Sequence, residues 1–565
     1  MGKKEEVIHQ VQSAATGEIH EVNTYRTNNN LEMTDGKNAA KLLKEAQANL
    51  IFTAGTGYVP ELRRNFSIFA LLGVGFGLTN SWFGISASLI TSISSGGPMM
   101  IIYGILIIAT ISMCIAVTLS ELASAMPNAG GQYYWTMKLA PPKYAPFASY
   151  LCGAFAWAGA VFTSASVTIS IASTLVGMYV MNSSDPDATY KTWQVFVTYQ
   201  LVNIFLLFFN IWEKPLPHIS LASLYISLAS FVIITIVVLA KSSGHYQTAH
   251  FVFVEFSNGT GWSSAGIAFI VGLINPNWSF SCLDAATHLA EETLSPQTDI
   301  PKAIIGTVII GLVTSLVYSI AMFFCIRNLD EILKSTTGSP IMDIYRQALN
   351  SKAGATGLSC LILFTAIGCN IASHTWQARL CWSFARDRGL PGSRYWSKIN
   401  PRTGAPVNAH IMSCVWCAII GCIYMGSTTA YNSLVIGCIL FLLLSYLVPV
   451  VFLLIKGRDN IEHGPFWMGK LGLVCNVVLI FWAVFTTIFY SFPAVMPVTA
   501  GNMNYVSVVI AVFFIYCVVY WFARGKKQFR TEEEREKDAN ELTAQLSNEV
   551  EKLETIVSAL GFKAV

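Results

Sequence analysis

The chain has 565 residues; 53% belong to the AVILMFWYC set and only 12% are charged, against about a quarter charged in soluble proteins. That composition excludes an ordinary soluble fold. A net charge of +3, with no stretch interleaving basic and aromatic residues, argues against a nucleic-acid partner.

Of the 67 charged residues, 33 lie in 1–65 and 524–565, so the middle is apolar and its partner is lipid. Residues 1–65 are polar and carry no apolar signal-peptide core, so insertion is expected to rely on the first span. A bilayer core of about 30 Å needs about 20 apolar helical residues. Twelve such runs follow: 66–94, 98–125, 147–180, 193–211, 217–240, 263–290, 303–326, 354–384, 408–426, 431–455, 470–491 and 503–523. They must be helices, because an open strand edge in hydrocarbon leaves backbone groups unpaired. The expected fold is all-α integral membrane, with a cytoplasmic tail at 1–65, a twelve-helix domain at 66–523 and a second cytoplasmic tail at 524–565. In that second tail Leu542, Leu546, Val550, Leu553, Val557 and Leu560 repeat at helical spacing, which predicts an amphipathic helix that could dock on the helical domain, pair with another chain or lie on lipid.

An even number of spans puts both termini on one side. A cytoplasmic N-terminus gives the inner connections twelve Lys and Arg and the outer ones six, the bias expected of a cytoplasmic face. Two glycosylation sequons, at Asn182 and Asn258, fall in connections that this orientation makes external.

Two spans are interrupted. The first carries GVGFGLTNSWFG (73–84) and the sixth NPNWSFSCLD (275–284), each too rich in Gly, Pro and polar residues for an unbroken helix. Broken helices at matching places in two halves point to a transport site at the midplane; close helix packing through small residues is the competing account. Intramembrane ionisable residues are few: Glu121, Asp284 and Arg379, each costly there and therefore a candidate. Glu121 suits a gate ion pair or an interfacial position, and Arg379 could snorkel inward. Asp284, just past the second break, could face a cationic substrate, take up a coupling proton or bond freed backbone amides. Trp82, Phe83, Trp278 and Phe280 cluster at the breaks, and ring faces bind ammonium groups. Asn370 and His374 share a helix face and could hold a hydroxyl or amine, as could Ser164 and Asn80.

No phosphate loop, HExxH or GxSxG motif is present, so no catalytic residue, no cofactor and no ATP-driven pump is expected. The 13 cysteines sit in or beside apolar runs without zinc-type spacing in any polar loop, so neither a disulfide framework nor a metal site is expected. The sequence carries no indication of oligomeric state.

The segments SELASAMPNAGGQYYW (120–135) and SFARDRGLP (383–391) resemble the signatures of the amino acid–polyamine–organocation transporters. Within that superfamily GVGFGLTNSWFGIS, SSGGPMM, GLINPNWSFSCLDAATH and HTWQARLCWSFARD resemble the fungal choline permeases, over roughly residues 65–523. The resemblance implies a LeuT-like five-plus-five inverted repeat with helices one and six broken, two extra helices, and a site between helices one, three, six and eight. Asn80, Ser81, Trp82, Phe83 and Gly84 match its unwound part of helix one, and Trp278, Ser279 and Phe280 its aromatic gate in helix six. Where amino-acid carriers commonly have a small Gly-Ser-Gly-like element, this chain has Trp82-Phe83-Gly84, and the lysine some relatives place in helix five is missing. The implied activity is plasma-membrane import of a small cation, choline and ethanolamine. A carrier of γ-aminobutyrate or another amino acid, and a sensor that binds without transporting, are the alternatives.

Overall fold

The computed structural model describes residues 61–184, 189–333 and 337–559 continuously, and scattered positions between 43 and 58. Among the described residues there is no strand, only an isolated bridge between Phe66 and Thr293, and eleven helices are long and apolar enough to cross a bilayer. The first segment is 83% buried over its apolar stretch, whereas the fourth is 22% and the one starting at Val506 17%. The first therefore forms the centre and the others the rim, where exposed side chains such as Leu201, Ile236 and Phe481 form the apolar surface that lipid covers.

The sixth segment is not among the eleven, because its helices are short: Ala265–Gly272, Ile274–Ser279 and, after an unwound stretch, a 3-10 helix at Thr287–Glu292. The first is likewise divided into Ile68–Thr79, Ser81–Ala87 and Leu89–Ser94. Each interruption turns on one residue in the left-handed region, Asn80 (φ 33°) and Cys282 (φ 63°), where the chain leaves the helical hydrogen-bond ladder. Around them stand the second (Gly97–Ala125), third (Ala145–Asn182), fifth (Leu216–Lys241), seventh (Pro296–Phe324), eighth (Lys352–Arg386) and tenth (Thr428–Lys456) spans. The starts of these helices are fixed locally: Ser67, Ser351 and Ser427 each accept a backbone N–H from three residues on, the usual N-cap bond. Two further helices, Gln132–Leu139 and Pro340–Leu349, lie in connections where the sequence reading placed none.

Two glycines set the spacing. A Cβ at Gly73 would stand 2.6 Å from the backbone oxygen of Ser220, and one at Gly84 would stand 2.9 Å from Cα of Ser279. The first and fifth spans, and the two broken segments, thus cross at backbone distance, as small residues permit in membranes.

Residues 66–529 form one compact unit; the described residues of 1–65 form a second with 530–559. In that second unit Leu43 and Val550 are buried together with Ala46 and Leu50 against them, and Arg530 lies 4.4 Å over the Tyr58 ring. The predicted amphipathic helix runs over Glu532–Ala559, and its Val550 meets Leu43 of the N-terminal tail. Leu560 lies outside the described residues.

The crossing makes a prediction. Gly84→Val should destabilise the protein by about 1–3 kcal/mol, the usual cost of overpacking, read as a lower midpoint of thermal unfolding in detergent; an unchanged midpoint would mean the two segments do not cross there.

Candidate functional site

Carbonyls at the two broken segments are met by side chains from neighbouring spans. The Cys369 thiol donates to the Leu78 carbonyl at 3.0 Å, Thr79 Oγ1 to the Ser281 carbonyl at 3.0 Å, and Asn275 Nδ2 to the Ile85 carbonyl at 3.3 Å. Asn80 Oδ1 accepts from Ser227 Oγ at 3.2 Å, and the same hydroxyl accepts from Trp82 Nε1 at 3.0 Å. The breaks are thereby tied to each other and to the fifth and eighth spans.

Two cavities meet at these breaks. The larger, about 560 Å³, is lined by Phe83, Ser166, Tyr190, Trp278, Tyr424 and Tyr431 among others, and extends at one end of the bundle to Thr428, which starts the tenth span, and to Gly338 and Asn502 in connections. The smaller, about 10 Å³, lies among Leu78, Thr79, Phe83, Thr163, Trp278, Ser281, Cys282 and Cys369, at the threshold for one water. Phe83 and Trp278 line both, so these two rings form the wall between them. Trp278 is held by its Nε1, which donates to Ser166 Oγ at 3.2 Å. Among the described residues, no charged side chain lines either cavity.

The other residues singled out from the sequence lie around this wall. Trp82 is fully buried and turns toward the fifth and seventh spans, its ring 5.2 Å from that of Tyr318. Phe280 and Ser81 face Gly311 of the seventh span. Gly84 and Ser279 form the crossing described above, with Ser279 Oγ donating to the Asn275 carbonyl at 2.9 Å. Ser164 Oγ is 2.6 Å from Ser373 Oγ, and Asn370 Nδ2 donates to Thr168 Oγ1 at 2.8 Å, so both join the third span to the eighth. His374 Nδ1 faces Cys414 Sγ of the ninth span (Val407–Gly426) at 3.5 Å. None of Trp82, Phe280, Asn370, His374 and Asp284 lines either cavity.

Asp284 is fully buried beyond the second break. Its carboxylate accepts from Gln132 Nε2 at 2.6 Å and Tyr446 Oη at 2.5 Å, and lies 3.0 Å from His288 Nε2. His288 Nδ1 is 2.6 Å from the Ala129 carbonyl. A carbonyl only accepts, so Nδ1 carries hydrogen, and the Nε2 contact then needs a proton of its own. This partner one helical turn on, His288, and those from Gln132 and Tyr446 replace the backbone amides that the sequence reading considered.

At the opposite end from the large cavity, one buried ion pair and two part-buried ones join the spans. Arg379 does not snorkel: its Nε and Nη2 donate to Glu292 at 2.8 and 3.1 Å, both side chains fully buried. Arg386 pairs with Glu291 at 2.6 Å and stacks on Trp382. Glu121 pairs with Arg458 at 2.9 Å and accepts from the Met468 amide at 2.7 Å. Glu291 and Glu292 escaped the sequence reading because they fall just past the predicted sixth span; the cationic pattern of the eighth was the available signal. The sequon residues Asn182 and Asn258 are exposed. Both stand at the end where the large cavity opens: Asn182 donates to Thr356, and the loop after Asn258 bonds Met496.

Residues 66–514 match a family model described as amino acid permease. A Saccharomyces cerevisiae protein described as a choline transporter is 60% identical over 481 residues, 85% of each chain. A 7-keto 8-aminopelargonic acid transporter of the same yeast is 34% identical over 81% of this chain and 91% of its own. The swainsonine transporter of Arthroderma benhamiae is 36% identical over 84% and 93%.

The ion pairs make a prediction. Glu292→Ala leaves a buried, uncompensated guanidinium, a loss of about 3–5 kcal/mol, whereas the double variant Glu292→Ala with Arg379→Leu should recover most of it. Thermal unfolding of the purified variants measures both, and a single variant as stable as wild type would contradict the pairing.

Proposed function

We propose that this chain, which belongs to the amino acid permease family, is a secondary transporter that imports choline, and ethanolamine with it, across the plasma membrane by alternating access. The observation that carries the reading is the pair of rings, Phe83 and Trp278, shared by two cavities that no charged side chain lines among the described residues. A quaternary ammonium needs ring faces and no contacting counter-ion, at up to about 2 kcal/mol per desolvated contact. A carboxylate-bearing substrate would gain from a cation at that wall. The yeast relative's described substrate supports the same choice.

In this reading the twelve segments form a five-plus-five inverted repeat with two further helices. Both termini are cytoplasmic, the large cavity opens outward, and the three ion pairs close the inner side. Choline enters the large cavity, its ammonium is held between Phe83 and Trp278, and Thr79, Thr163 and Ser281 of the inner cavity receive its hydroxyl. Asn80, Ser81, Trp82, Gly84, Ser279 and Phe280 shape the breaks from behind, and Ser164 and Asn370 fix the third span to the eighth. Inward passage requires the inner cavity to expand as the Arg379, Arg386 and Arg458 pairs part. An inside-negative potential contributes about 2.3 kcal/mol per 100 mV for each cation moved, enough for uphill uptake. Asp284, with His288 beside it, has a place in the cycle as the site of a coupled proton, and Gln132 and Tyr446 face it.

Purified protein in vesicles with imposed potential and pH gradient tests the reading through uptake of labelled choline, ethanolamine and γ-aminobutyrate. Choline should accumulate under an inside-negative potential. Uptake of γ-aminobutyrate alone, or binding of choline without accumulation, would contradict the proposal. Trp278→Ala and Phe83→Ala should each weaken choline affinity at least about 10-fold, about 1.4 kcal/mol, while Trp82→Phe keeps the affinity and lowers stability. Near-normal affinity in Trp278→Ala would remove the ring pair from the site. Asp284→Asn should abolish any response of uptake to the pH gradient, and an unaltered response would leave Asp284 a purely structural role.

A further inference from the structure

We propose that His374, His410 and Cys414 form a binding site for a thiophilic metal ion, zinc(II) by its chemistry, which clips the eighth span to the ninth. His410 and Cys414 are four residues apart on the ninth span and so share a face; His374 meets them from the eighth. Cys414 Sγ lies 3.5 Å from His374 Nδ1 and 3.6 Å from His410 Nδ1, and one ligand atom from each residue lies within 4.8 Å of the others. A tetrahedral zinc with its sulfur at about 2.3 Å and its nitrogens at about 2.0–2.1 Å places sulfur and nitrogen about 3.5 Å apart. The trio therefore already has the sulfur-to-nitrogen edges of such a coordination sphere.

The outer shell agrees. His410 Nε2 is 2.9 Å from the Leu207 carbonyl, so it carries the hydrogen and Nδ1 presents its lone pair toward Cys414, the arrangement that orients a metal-binding imidazole. All three residues are buried, at 0%, 1% and 2% exposure, which shields the site from competing water. His374 Nε2 has no hydrogen-bond partner, so the Cys414 contact is what engages this fully buried ring. The neighbouring cation, Arg379, is already neutralised by Glu292. The three residues line neither cavity, so the site is separate from the ammonium wall and its existence does not rest on choline being the substrate. Its effect would be to fix the eighth span against the ninth while the broken segments move. Helix spacing within one span could not reveal it, because the ligands come from two spans.

Full-length protein, freed of any affinity tag and reconstituted in lipid nanodiscs, is equilibrated with zinc and analysed by elemental mass spectrometry. Wild type should retain about one zinc per chain. Cys414→Ala and His410→Ala should bind it at least about 10-fold more weakly, since loss of even an outer-shell partner costs roughly 10–100-fold. Cobalt(II) loading should produce a thiolate-to-metal absorption that Cys414→Ala lacks. A wild type that holds no more zinc than Cys414→Ala, or that lacks the cobalt band, overturns the site and leaves a hydrogen-bonded trio. Should the variants not fold, alkylation of Cys414 in wild type, mapped by peptide mass spectrometry, decides: zinc slows it at least about 10-fold if the site exists, and equal rates with zinc and with chelator refute it.

Discussion

The structure depends on one constraint: two helices lose their hydrogen-bond ladder in the middle of an apolar bundle, and every backbone group they free must find a partner there. At Asn80 and Cys282 the chain takes left-handed turns, and side chains converge on the exposed carbonyls. Cys369, Thr79 and Asn275 each donate to one of them. Their convergence draws the first, sixth and eighth segments together, and Gly84 lets two of them touch at backbone distance. The ring wall of Phe83 and Trp278 stands where it does because its two residues flank these turns.

The polar groups divide by depth. Around the wall they are neutral hydroxyls, thiols and amides, which suits a cation that has shed its water but would leave a buried carboxylate poorly matched. Three ion pairs, those of Arg379, Arg386 and Arg458, stand at the end away from the large cavity. Removing one partner of a buried pair is costly, whereas exchanging partners is far less so, and pairs of this kind suit a closure that must open as a unit. Asp284 lies between the two zones, its carboxylate engaged by Gln132, His288 and Tyr446.

Much of this was legible in the sequence. Length of apolar runs located the spans, and Gly, Pro and Asn density located both interruptions, because an apolar helix tolerates those residues only where the ladder fails. The aromatic cluster was visible, but which rings face the cavity was not: Trp82 and Trp278 follow similar polar surroundings in sequence, yet Ser227 turns one indole away and Ser166 holds the other in the wall. Partners from distant spans were equally hidden. Arg379 reads alone as an interfacial cation, and only the fold brings Glu292 to it; the Pro340–Leu349 helix is too short for a spanning pattern and becomes evident only in its packing.

In the proposed cycle a cation is enclosed by ring faces at the junction of the two interrupted helices. A cryo-electron microscopy map of the protein in nanodiscs with bound choline tests it most directly. The account places the trimethylammonium density against Phe83 and Trp278, between the two cavities. Density beside Asp284, or at a site that neither ring touches, would contradict it.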